Sequence, residues 1–264
     1  MGSLSDYAEN AMLDHVTNET PLSQATHLYV GLSTATIDDT TTGTSVTEPA
    51  DTYARVETDS WDTAATRQTS NTSLITFAQA GASWGTITDW FIADAATLGN
   101  IIAYGTFGTS KSVVAGNTPS IAAGELDVIF SASAGGGGWT DVLVHEMLDH
   151  VFLTGAYTAP SLYGALYTVT PTDSTGGTEC TGNNYARTSA YVGGWSAAAA
   201  GSTDNDAAIS WPTPSGSWGT VVAAALCDAS TVGNILLYDD VTNQEPNDGD
   251  TVEIPAGDFD ITLA

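Results

Sequence analysis

Leu4, Tyr7, Ala8, Ala11, Met12 and Val16 recur at the three-to-four-residue spacing of a helix with one apolar face, and Ser3 or Ser5 can cap its start. The pattern returns far downstream as Val142, Leu143, Met147, Leu148 and Val151, after Thr140 or Asp141. Elsewhere the chain is rich in Thr, Val, Ile, Tyr and Trp, broken by Gly, Asn, Asp and Pro, which is strand and turn chemistry. Strands are predicted over 27–34, 52–60, 72–78, 87–94, 100–107 and 125–131, with counterparts over 161–168, 184–192, 206–211, 220–227, 234–239 and 258–264. Six short strands behind one helix, twice, predict a mainly β chain of two tandem antiparallel β-sandwich (jelly-roll-like) domains, each preceded by a short N-terminal α-helix.

The two sets of elements are copies of one sequence. Met12-Leu13-Asp14-His15-Val16 recurs as Met147-Leu148-Asp149-His150-Val151, and Leu28-Tyr29 as Leu162-Tyr163. Tyr53-Ala54-Arg55 recurs as Tyr185-Ala186-Arg187, Trp84-Gly85-Thr86 as Trp218-Gly219-Thr220, and Gly99-Asn100-Ile101 as Gly233-Asn234-Ile235. Gly116, Gly124 and Asp127 return as Gly249, Gly257 and Asp260. Order is kept and the offset drifts only from 132 to 135 residues, as expected of a tandem duplication with insertions in loops. The predicted domains are 1–134 and 139–264, joined by the run Gly135-Gly136-Gly137-Gly138, which reads as too flexible for a strand.

Composition changes the picture mainly through charge. The 264 residues hold 31 acidic and 4 basic side chains, a formal net charge of −27, while a 42% hydrophobic content is ample for packed cores. With Arg55, Arg67, Lys111 and Arg187 as the whole cationic complement, nucleic acid and anionic membrane surfaces are excluded as partners. No stretch approaches the ~20 apolar residues of a membrane span, and the start, MGSLSDYAENAMLDHV, has neither a basic nor an apolar signal region, predicting a soluble, unprocessed protein. Near-absence of lysine beside such acidity points to a high-salt environment, where a Debye length of ~3 Å at ~1 M removes self-repulsion. Carboxylate clusters for divalent cations are the rival reading. Cys180 and Cys227 both lie in the second copy and read as buried free thiols.

Candidate chemistry is sparse. His145-Glu146-Met147-Leu148-Asp149-His150 evokes a zinc-protease helix, but that chemistry needs the second imidazole four residues after the first, and here it stands fifth, ~140° round the helix. His15 and His150 read as packing or capping groups at a helix end. Asp239, Asp240, Asp248 and Asp250 make 239–250 an acidic loop with oxygen ligands for Ca²⁺, without EF-hand spacing. No cofactor, metal or catalytic residue is assigned. Arg55 and Arg187 are the same residue of the repeat, and a guanidinium held by a carboxylate or ring within each domain is expected there. The positions common to both copies, Tyr29, Arg55, Trp84 and Gly99 with Tyr163, Arg187, Trp218 and Gly233, are therefore read as structural.

The succession His27-Leu28-Tyr29-Val30-Gly31-Leu32, Tyr53-Ala54-Arg55, Ile75-Thr76-Phe77, Trp84-Gly85-Thr86-Ile87, Asp94-Ala95-Ala96-Thr97-Leu98-Gly99-Asn100-Ile101 and Gly116-Asn117-Thr118 resembles a small β domain of phage proteins labelled tail-fibre or minor structural proteins. The resemblance runs over nearly the whole chain, twice. It implies a non-enzymatic virion structural protein of a tailed virus, exposed on the particle as a tail fibre, baseplate attachment, or head decoration or turret. The acidity adds a halophilic host, and the paired domains a homo-oligomer, a trimer or ring, among other virion proteins. The alternative is a carbohydrate-binding or host-adhesion module that meets a glycan or receptor through exposed Trp and Tyr. Raising NaCl or KCl from ~0.1 M to ~2 M is expected to raise the melting temperature; an unchanged or lower value would defeat the high-salt reading.

Overall fold

The computed structural model describes residues 2–130, 137–153, 155–191 and 194–263. The first repeat runs β1 (Gly2–Leu4), α1 (Asp6–Val16), β2 (Tyr29–Ser33), β3 (Val56–Glu57), β4 (Gln68–Ser70), β5 (Ile75–Thr76), β6 (Gly85–Ala93), β7 (Ile101–Val113), β8 (Ser120–Ile121) and β9 (Asp127–Ile129). The second runs β10 (Gly137–Trp139), α2 (Asp141–Phe152), β11 (Tyr163–Val169), β12 (Thr178–Glu179), β13 (Thr188–Ser189), β14 (Ser202–Thr203), β15 (Ile209–Ser210), β16 (Val221–Cys227), β17 (Ile235–Gln244), β18 (Glu253–Ile254) and β19 (Ile261–Thr262). Order and spacing match, apart from β12. The chain is mainly β with two helices, as expected, although each helix follows a short strand instead of opening its repeat.

The main sheet of the first repeat has the order β3-β2-β6-β7-β1-β9-β4, and the second has β10-β17-β16-β11-β12 with β13 also on β11. Neighbours pair antiparallel, save a single parallel bridge from Gly2 to Val128. Registers coincide across the duplication: Gly31 faces Phe91 as Ala165 faces Ala225, and Tyr29 faces Ala93 as Tyr163 faces Cys227. Small two-stranded sheets, β5–β8 and β15–β18, form further layers. The one from β15 and β18 lies over the main sheet, where the Trp211 indole donates to the Gly164 carbonyl at 3.2 Å.

Capping and burial explain the helices. Ser5 accepts from the Ala8 amide and donates to the Ile101 carbonyl, so one hydroxyl starts α1 and ties it to β7. Thr140 repeats this with the Leu143 amide and the Ile235 carbonyl. Met12, Leu13 and Val16, and Leu143, Met147 and Leu148, are fully buried, each contributing ~1.5–3 kcal/mol relative to exposure.

Three expectations are corrected. Gly137 and Gly138 are not linker but strand, paired with Asp239 and Tyr238 of β17. The reason is close approach: a Cβ on Gly137 would stand 2.5 Å from an Asp239 carboxylate oxygen and 2.9 Å from the Tyr238 carbonyl. Gly135 and Gly136 lie outside the described residues. The predicted strand 234–239 runs on, so that residues 240–244, expected as acidic loop, belong to β17. The predicted strand 52–60 is strand only at Val56–Glu57, because Asp51, at positive φ, and Thr52 bond to the 79–82 turn instead of to a sheet.

Two compact units divide the chain, and they interleave its halves: Met1–Glu9, Ser23–Phe130 and Met147–Tyr157 form one, and Asn10–Leu22, Ser131–Glu146 and Thr158–Ala264 the other. In the first unit the Asp149 carboxylate accepts the Ala64 amide at 2.6 Å, and the Phe152 ring lies 4.9 Å from that of Trp61. In the second unit Asp14 accepts the Ala198 amide at 2.7 Å, Asn10 the Gly201 amide at 2.9 Å, and Glu19 the Trp195 amide at 3.0 Å. Each unit is thus closed by a helix end from the other repeat. Asp14→Ala and Asp149→Ala are each expected to lower unfolding stability by ~1–3 kcal/mol, since a partly buried amide loses its acceptor. Denaturant titration at high salt measures this.

Candidate functional site

A heavily bonded polar group of each repeat is the arginine before the short strand β3 or β13. Arg55 precedes β3, and its guanidinium meets both Glu48 carboxylate oxygens, at 3.0 Å from Nε and 2.9 Å from Nη2. Nη1 donates to the carbonyls of Ala95 (3.0 Å) and Leu98 (2.7 Å), and Nη2 also to that of Gly43 (3.3 Å). The plane stacks on Phe91, 4.8 Å from its centroid. Arg187 repeats the fork on Glu179, at 2.9 Å from Nε and 2.9 Å from Nη2, with Nη1 on the carbonyls of Ala229 (2.9 Å) and Val232 (2.6 Å). Glu179 holds the Arg187 cation firmly protonated.

What these arginines grip is a turn. In the first repeat Asp94 accepts from the Asn100 backbone and side-chain amides at 2.8 and 2.7 Å, and Asp228 does the same for Asn234 at 2.7 and 2.8 Å. Leu98 and Val232 adopt positive φ of 56° and 59°, a conformation disfavoured for a branched side chain, while their carbonyls face the guanidinium. The next residue must be glycine: Gly99 and Gly233 have φ of 68° and 70°, and a Cβ would stand 2.4 or 2.2 Å from the Asp94 or Asp228 oxygen.

Tyrosine completes the clamp. The Tyr53 hydroxyl accepts the Leu32 amide at 2.8 Å and its ring meets Trp84 edge-on at 5.4 Å; Tyr185 accepts the Leu166 amide at 2.9 Å and meets Trp218 at 5.2 Å. Burial first, and the neighbouring Glu48 carboxylate next, drive the Tyr53 hydroxyl far above the usual phenol range, so it stays neutral. Tyr29 and Tyr163 are half-buried sheet residues. Sequence reading missed Asn71 and Asn205, both buried, whose side chains span Ser73, Ala122 and Leu126, or Ala207, Pro255 and Phe259. The shared Asn at an offset of 134 was the available signal.

The repeated histidines are loop holders. Nδ1 of buried His15 accepts the Leu22 amide, and Nδ1 of buried His150 the Tyr157 amide, both at 3.0 Å. Among the described residues the cluster with metal-ligand spacing is His27, Glu57 and Asp59, with His27 Nδ1 2.7 Å from Asp59 and 3.4 Å from Glu57. The hydrogen bond to Asp59 raises the His27 pKa, and the cluster is exposed. Ser161, Ser189 and Tyr191 stand at its counterpart positions, so it is not a property of the repeat. In the acidic 239–250 segment, Asp240 accepts Thr170 and Asp250 the Asn247 amide. Glu9, beside Asp39 and Asp6, is pushed up to about 7, mainly by burial. Cys180 and Cys227 are free and buried, and burial raises both thiols to about 11.

All seven tryptophans (Trp61, Trp84, Trp90, Trp139, Trp195, Trp211 and Trp218) are buried. The exposed tryptophan platforms expected of a glycan-binding surface are thus absent, because the indoles fill the interior instead. Two open clefts indent the second unit. One, of about 520 Å³, is bordered by Arg187, Glu179 and Asp173; the other, of about 540 Å³, by Asp239, Asp240 and Asp260. No helix among the described residues is long and apolar enough to cross a membrane.

A family model described as podophage GP4 fiber I protein gp80 matches residues 3–129 and again 138–262. No curated protein matches the chain.

Removal of the guanidinium strands a partly buried carboxylate together with three backbone carbonyls at Arg55 or two at Arg187. Arg55→Ala and Arg187→Ala are each expected to cost ~1–3 kcal/mol in unfolding stability. Equilibrium denaturation reads the loss; wild-type stability in both variants would show that the clamp is ornamental.

Proposed function

We propose that this chain, which belongs to the podophage GP4 fiber I protein family, is a non-enzymatic building block of a viral fibre, its two units serving as rigid structural modules. The family puts it on the exterior of a tailed-virus particle. The observation that carries the reading is how the repeated polar residues are used. Arg55 and Arg187, Asp94 and Asp228, Asn71 and Asn205, and His15 and His150 all bond inward to the chain's own backbone or to an adjacent carboxylate. A catalytic group conserved through a duplication would instead converge with a partner on open space.

Burial of every tryptophan favours the structural reading over glycan adhesion. The charge of −27 supports assembly in concentrated salt, in a virus of a halophilic host. Under that screening, neutral and apolar surface would dominate subunit contacts, and a trimer or ring of chains is the assembly we favour. Tagged or antibody-decorated particles examined by electron microscopy should carry label on the fibres. Label restricted to the head, or protein recovered only from infected cells and never from purified particles, would overturn the proposal.

A further inference from the structure

The two arginine clamps differ by one hydrogen bond, and the difference has a cause. Eight residues separate Asp39 from Glu48 in the first repeat, but only five separate their counterparts Asp173 and Glu179. Asp39 and Asp173 are equivalent: their carbonyls accept the Asp6 and Asp141 amides, and their carboxylates the Tyr104 and Tyr238 hydroxyls. The longer segment, Thr40–Thr47, carries Gly43, whose carbonyl takes a second bond from Nη2 of Arg55. It passes so close to the turn that a Cβ on Gly43 would lie 2.0 Å from the Leu98 carbonyl oxygen. Val46 and Ile37 of the same connection pack on Phe91, Ala93, Ile101 and Tyr104.

In the second repeat the corresponding space is open. There the core cluster is completed from within the strands, by Tyr167 against Ala225 and Cys227, and the shorter connection leaves the cleft of about 520 Å³. Arg187, with a side chain only 8% exposed, borders it together with Asn234, Gly233, Asp141 and Asp173. Nη2 of Arg187 donates to Glu179; among the described residues its other N–H has no acceptor where Arg55 has the Gly43 carbonyl. That N–H faces the cleft at the place where the first repeat supplies a backbone carbonyl.

We propose that this cleft receives a peptide loop of a neighbouring chain in the fibre, uncharged and carrying a glycine, which sets a backbone carbonyl on Arg187 Nη2 as Gly43 does on Arg55. The argument for peptide is that a peptide segment holds the same place in the first repeat. The argument for neutrality is that Thr40–Thr47 is itself uncharged; Asp141, Asp173 and Glu179, which ring the cleft, also disfavour an acidic segment. The source of the loop rests on the fibre reading; the cleft does not.

The test uses the full chain in ~2 M NaCl and the capped octapeptide Thr-Thr-Thr-Gly-Thr-Ser-Val-Thr as probe, followed by NMR. Saturable shifts at Arg187 and Asn234 are expected, with intermolecular contacts from the peptide glycine to Gly233. A peptide with valine in place of that glycine should bind about tenfold more weakly, because the added side chain holds its carbonyl away from Arg187 and the one hydrogen bond is lost. Grafting Thr40–Thr47 over Ser174–Thr178 should close the cleft and abolish binding; the peptide-glycine contacts decide the matter if that variant does not fold. Shifts that never saturate, peptide binding elsewhere on the chain, or neutral oligosaccharides binding at Arg187 where the peptide does not, would overturn the proposal. These results are independent of where particle imaging places the chain, so the two readings fail separately.

Discussion

A guanidinium held inside each repeat is the interaction on which the rest of the structure depends. Arg55 and Arg187 each join three stretches of chain: the connection after the first long strand, the segment leading into the next, and the turn, some forty residues on, between the two central strands. Without that grip, the turn carbonyls at Leu98 and Val232 would lose the contact that offsets their unfavourable backbone geometry. Of the remaining cations, Arg67 fits the same rule. Arg67 is buried and lies 5.8 Å from the Phe130 ring, which leaves Lys111 as the exposed one. Salt screens surface pairs but hardly touches buried ones, so in concentrated salt a cation is useful to this chain mainly where water is excluded.

Duplication allowed the two copies to solve one packing problem differently. Where Gly31 faces Phe91 in the first sheet, Ala165 faces Ala225 in the second, and where Ser33 faces Asp89, Tyr167 faces Ala223. A large ring moved from one strand to its neighbour, and glycine or alanine stands opposite each. Buried Asp89 holds the Ile37 amide at 2.7 Å, an anchor for the longer connection; with Ala223 in its place, the second copy has no such anchor and its connection is shorter. Core composition, loop length and the open cleft are thus one change seen at three levels.

The helix ends tie each compact unit to both repeats. Asp14 and Asp149 are the same residue of the repeat, as are Ala198 and Ala64, so the two exchanged bonds are copies of one contact. A carboxylate on a helix flank would ordinarily be read as solvated surface, and periodicity carries no indication that its partner lies more than eighty residues away. The signal was nevertheless in the repeat: an Asp kept at both places, inside the run Met-Leu-Asp-His-Val that the copies share.

The amino-acid sequence by itself determined the duplication, the mainly β antiparallel architecture, a capped helix near the start of each repeat and the expectation that both arginines are held within it. These follow from local periodicity, side-chain chemistry and identity between copies, all of which are written along the chain. Only the tertiary structure decided that Gly137 and Gly138 are strand, that Asp240 sits in a sheet, that every tryptophan is interior and that each unit closes with a helix end from the other repeat. Glycine runs, acidic residues and indoles have no fixed place of their own. Their positions were set by how closely a neighbouring backbone approached and by which carbonyl or amide was left needing a partner once the sheets had packed.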